Sequence, residues 1–149
     1  MIILIIFFIV IAIIVVKSII DSGNCAKIAL FIDDIEGDVR RTWNYGFDEH
    51  TFKAGLPNSI DFVCFANLTN PIKGEFEFVY EQIDIFEGKQ ANMFFYPISK
   101  SCEIPYQNIK HVNLEKLIER KNPNCFEVED GKVSINIEKR LNEKLVRLK

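Results

Sequence analysis

One stretch governs what this chain can become: "IILIIFFIVIAIIVV", Ile2–Val16, in which every residue is apolar, extended beyond Lys17 and Ser18 by Ile19 and Ile20. At about 1.5 Å per residue, a helix over residues 2–20 reaches roughly 28 Å, close to the hydrocarbon thickness of a bilayer. Ile and Val are indifferent helix formers in water. In lipid the backbone must close its own hydrogen bonds, and a helix does so. Lys17 lies near one end, where its long stem carries the ammonium out to the headgroups. Residues 1–21 are therefore expected to be a transmembrane anchor, with the lipid bilayer as partner through residues 2–20.

Other uses of the run fit less well. A wholly apolar core helix of this length is out of proportion to a 149-residue chain. A cleaved secretory signal wants a basic start and a small-x-small exit. Here no Lys or Arg precedes the run, and it leaves through Asp21-Ser22-Gly23-Asn24. Gly23-Asn24 is also a poor approach to a lipidated Cys25. Two signals disagree on orientation. Lys17 and Lys27 follow the run, which by the positive-inside rule places residues 22–149 in the cytoplasm. Four cysteines and a glycosylation sequon favour the outside, and an extracellular head is the expectation adopted.

Residues 22–149 suffice for one domain with a modest core. The chain holds 18 basic and 21 acidic residues, net −3, nearly all beyond the anchor. A mildly acidic, mixed surface without a basic patch argues against nucleic acid. Cys25, Cys64, Cys102 and Cys125 are widely spaced, with no CxxC pair of the kind zinc sites use. In an exported domain they suggest two disulfides, in any of three connectivities; buried free thiols are the alternative. Asn67-Leu68-Thr69 fits an N-glycosylation acceptor at Asn67.

A helical signal follows Asn24: Ile28, Ile32, Ile35, Val39 and Trp43 draw one apolar stripe, with Ser22 or Asn24 as candidate cap and Tyr45-Gly46 as the end. Asp33, Asp34, Glu36 and Asp38 read as a solvated face, with Glu36–Arg40 as an i,i+4 pair. The EF-hand pattern fails, since Ile32 and Trp43 stand where acids are needed. Strands are expected at Thr51–Lys53, Ile60–Ala66, Asn92–Pro97 and Asn108–Asn113, and a short helix at Leu114–Arg120. Within Glu75–Phe86 the alternation Phe76, Phe78, Tyr80 competes with the helical set Phe76, Val79, Ile83, Phe86, and a helix is favoured for the C-terminal half. "CFEVEDGKVSINIEK" reads as a hairpin turning at Asp130-Gly131, with Val133, Ile135 and Ile137 inward. A last strand falls within Leu145–Leu148. The expected fold is α+β: an N-terminal transmembrane helix, then an amphipathic helix packed on a mostly antiparallel β-sheet head, residues 22–149.

No nucleophile elbow, phosphate-binding glycine loop, HExxH or dinucleotide fingerprint occurs. Asp48-Glu49-His50 reads as loop and His111 as an ordinary strand residue. Glu127, Glu129 and Asp130 are solvated acids at a hairpin tip. A Cys–His nucleophile built on His50 or His111 competes with cysteine pairing. No catalytic, cofactor-binding or metal residue is assigned.

"IDFVCF", "NMFFYP" and "NPNCFEVEDGKVSI" resemble segments of small archaeal single-pass membrane-anchored proteins with no established activity, a resemblance over residues 60–137 that supplies no site residues. An apolar N-terminus running into an amphipathic helix and a β-rich head is also similar in plan to type IV pilin-like subunits. Those usually carry a basic, glycine-containing leader, and often a polar residue near the mature start; neither is seen around Ile2–Val16. The expectation is a non-catalytic, membrane-anchored cell-surface or envelope domain, with a structural or protein-interaction role and an envelope protein or its own copies as partner. A pilin-like subunit assembling through its apolar helix is one alternative, and a cytoplasm-facing membrane scaffold is another.

Overall fold

The computed structural model describes residues 2–46 and 48–149. A single helix, α1, runs without interruption over Ile2–Tyr45, roughly 66 Å at 1.5 Å per residue. The break expected around Asp21–Asn24 does not occur. One glycine inside a helix costs only about 1 kcal/mol, too little to stop a segment held on both sides. Ser22 is not a cap either. Its hydroxyl donates to the Ser18 carbonyl one turn back (2.9 Å), a bond made within a continuing helix. The helix does stop where expected, before Gly46, whose φ of +80° suits the left-handed region.

The two halves of α1 meet different surroundings. From Ile3 to Gly23 every residue is exposed, including the whole apolar run. Burial begins at Ile28 and continues through Phe31, Ile32, Ile35 and Val39. These are the expected stripe plus Phe31, whose ring meets Phe52 and Phe95 edge-on at 5.9 and 5.8 Å.

The head is a seven-stranded sheet: β1 (Asp48–Gly55), β2 (Phe62–Phe65), β3 (Met93–Tyr96), β4 (Tyr106–Gln107), β5 (Asn124–Glu129), β6 (Lys132–Lys139) and β7 (Arg147–Leu148). The order is β1-β6-β5-β2-β3-β4, with β7 also paired to β6. Every strand pair is antiparallel. Strand β6 organises the sheet, because it pairs with β1 along all eight residues while β5 and β7 share its other edge. Val133, Ile135 and Ile137 on β6 are fully buried beneath α1, as the alternation requires. Asp130 (φ +49°) and Gly131 (φ +70°) make the hairpin turn.

Strands β2 and β3 are covered on both faces. Val63, Phe65, Met93 and Phe95 join the core under α1, whereas Cys64 and Phe94 join a second core beneath α2 (Glu77–Ile83). In α2 the helical set prevails over the strand alternation because Val79 and Ile83 close that second core. The molecule is thus α+β, as expected, with three layers at this end.

Several local expectations are corrected. The Thr51–Lys53 strand grows to eight residues and absorbs Asp48-Glu49-His50, which are strand and not loop. The strand at Ile60–Ala66 shortens to β2. Asn108–Asn113 is not a strand: His111 has φ +68°, and only Val112 bridges to Val146. The short helix α3 covers Leu114–Leu117, capped by the Asn113 side chain, which accepts from the Lys116 amide at 3.2 Å.

Candidate functional site

All four cysteines are paired. Cys25 on α1 bonds Cys102, and Cys64 bonds Cys125. Among the described residues no cysteine is free, so the alternatives of buried thiols and of a Cys–His nucleophile both give way to disulfides. Cys64 and Cys125 stand opposite each other on β2 and β5, with Cα atoms 4.0 Å apart. Cys25–Cys102 does something different. It fastens the helix, where it leaves the head, to the segment after β3.

Asn67 lies in the turn leaving β2 and is half-buried. Its side-chain oxygen accepts from the Thr69 amide (3.1 Å) and the Thr69 hydroxyl (2.7 Å). Buried Asn122 braces this loop. Its Oδ1 accepts from the Asn67 amide (3.1 Å), and its Nδ2 donates to the carbonyls of Asn67, Asn70 and Pro71 at 3.0–3.3 Å. The sequon thus sits on a fixed surface loop.

The acidic face of α1 is only partly solvated. Asp33 and Asp34 are exposed, but Asp38 is buried and meets groups that sequence reasoning missed. Its Oδ2 lies 2.6 Å from His50 Nε2, and its Oδ1 lies 2.7 Å from Arg41. Asp48 Oδ2 approaches the other imidazole nitrogen at 3.1 Å. Hydrogen bonding to Asp38, aided by both negative charges, raises the His50 pKa above its ordinary 6.5 despite partial burial. The result is a histidine clasp from β1 to α1, strengthened when the ring is protonated. Two signals in the sequence pointed to it: Asp48 and His50, two apart on a strand, share a face, and Asp38 adjoins the inward stripe. The expected Glu36–Arg40 pair is replaced by Asp38–Arg41.

His111 also departs from expectation. Its ring stacks on Trp43 (3.8 Å between centroids, 14° between planes), and the indole N–H donates to the Lys144 carbonyl at 3.0 Å. Glu138, buried at the end of β6, pairs with Arg140 and Lys149, which together lower its pKa to about 2. Glu127, Glu129 and Asp130 are exposed at the hairpin. Among the described residues no group of three or more His, Cys, Asp or Glu side chains is placed to hold a metal ion.

The polar clusters of the head are thus ties between elements: helix to strand, loop to loop, terminus to sheet. The long apolar surface lies elsewhere, on a helix long and apolar enough to cross a membrane. No family model, curated protein or solved structure matches the chain.

Proposed function

We propose that the protein is a single-pass membrane protein whose α1 stem holds a non-catalytic interaction head against the outer face of the bilayer. One observation carries this reading: the exposed apolar stem continues as the same unbroken helix into the core of the head. Exposed apolar surface on this scale is unfavourable in water and favourable in hydrocarbon. The two disulfides are the cross-links expected of an oxidising compartment, which supports the outward orientation; that orientation would place the Asn67 sequon on the side where glycosylation occurs.

Carbonate extraction and thiol labelling of intact cells test it together. The full-length chain is expected to stay with membranes at high pH, and all four cysteines to label only after reduction. An Asn67→Gln chain run alongside should migrate faster if the acceptor is used. Release as a soluble monomer would refute the anchor, and four free thiols would turn the head to the cytoplasm as a membrane scaffold.

A pilin-like subunit is the second reading, favoured by the way the C-terminal half of one long helix packs on an antiparallel sheet while its N-terminal half stays bare. Gentle detergent extraction separates the two: a discrete small species supports the anchored head, and filaments released by shear support the subunit.

A further inference from the structure

Where α1 leaves the head, the Cys25–Cys102 bond draws the Ile98–Cys102 segment beside the helix. Between them lies a cleft of about 410 Å³, lined by Lys17, Asp21 and Asn24 from the helix and by Ser59, Ser99 and Lys100 from the head. Lys17, Asp21 and Asn24 fall at i, i+4 and i+7, on one face of α1. Ile28 continues that face into the core. The polar interruption of the stem therefore lies directly beneath the head. Neither lysine takes part in an ion pair among the described residues.

Depth gives the cleft its meaning, on the reading of α1 as a membrane anchor. The apolar run ends near residues 17–20, so hydrocarbon gives way to headgroups there. Lys17 to Asn24 rises about 10 Å along the axis, comparable with the roughly 5–8 Å polar layer on each side of a bilayer. The geometry points to this cleft as a binding site for the phosphodiester headgroup of an acidic phospholipid that carries free hydroxyls. Lys17 and Lys100 supply two positive charges, and Ser59, Ser99 and Asn24 supply neutral donors for phosphate oxygens. Asp21 would repel a bare phosphate. It suits a headgroup whose hydroxyls donate to its carboxylate. The disulfide keeps the cleft formed before lipid arrives, which lowers the ordering cost of binding.

Native mass spectrometry of the detergent-solubilised full-length chain tests the site, with phosphatidylglycerol, phosphatidylcholine and inorganic phosphate added separately. Wild type is expected to retain phosphatidylglycerol in preference to phosphatidylcholine. Lys100→Gln should reduce that retention roughly five-fold, the effect of about 1 kcal/mol for one lysine at an anionic surface. Lys17→Gln, which leaves the head's sequence intact, carries the same expectation, and Lys144→Gln, beside Trp43 near the opposite end of α1, should change nothing. Equal retention of the two lipids, equal losses in all three variants, or displacement of bound lipid by inorganic phosphate would overturn the site. Carbonate extraction of the same proteins separates the two levels. Release from membranes overturns the anchor and the site with it, whereas retention combined with equal lipid binding overturns the site alone.

Discussion

His50 ties α1 to β1 most strongly while its ring is protonated, since both ring nitrogens face carboxylate oxygens, of Asp38 and Asp48, and only the cation donates to both. Because the folded-state pKa is raised above 6.5, this contribution is fully present below 6.5 and is lost as pH rises through the folded value. Glu138 has the opposite sign. Its pKa falls from 4.5 to about 2, so its contribution is present above 4.5 and is lost as pH falls towards 2. Denaturant midpoints of the wild type should therefore decline on either side of a plateau between roughly 4.5 and 6.5. His50→Gln should flatten the alkaline limb and leave the acid limb unchanged; an unaltered alkaline limb would remove the clasp from the account. At this scale the sequence was legible where neighbours interact and opaque where partners are distant. Asp130-Gly131 declared its turn locally, whereas His50 finds Asp38 on another element and Asn122 finds Asn67 and its loop across 55 positions.

The elements repeat that lesson with packing as arbiter. The β5–β6 hairpin was readable because its alternation and its turn residues agree. Gly131 has φ +70°, and an added Cβ would lie 3.0 Å from the Leu56 carbonyl oxygen and collide with the Asn58 side chain. Gly131→Ala should destabilise the head by about 1–2 kcal/mol, seen as a lower midpoint with an unchanged denaturant slope. The continuity of α1 was not readable. Ser22, Gly23 and Asn24 carry the local marks of a boundary, but these are overridden by flanking segments that both favour helix and by the tie at Cys25. The strand expected at Asn108–Asn113 fails for the converse reason, because one left-handed residue, His111, interrupts an extended pattern. Replacing Cys25 and Cys102 together by alanine should cost about 2–5 kcal/mol while Cys64–Cys125 still forms. A near-neutral result in calorimetry would mean that the helix holds its place by packing alone.

The whole molecule divides energetically near Asn24. No described residue before Ile28 is buried, and the core is complete without the stem. A chain beginning at Ser22 should accordingly yield a soluble head with both disulfides and a melting temperature within a few degrees of the full-length protein's; a collapsed or aggregated product would show that the stem contributes to the fold. The α+β plan followed from composition and periodicity, as did the length of the apolar run. The way the head sits on its support did not, because it depends on a helix that ignores its own punctuation. An unbroken helix of roughly 66 Å makes the molecule a lever. On the proposed reading of α1 as an anchor, a tilt of about 20°, ordinary for a bilayer-crossing helix, would carry its far end sideways by roughly 20 Å. Trp43 and Tyr45, out at that end, would sweep an arc, so whatever leans on the tip would turn the shaft in the lipid.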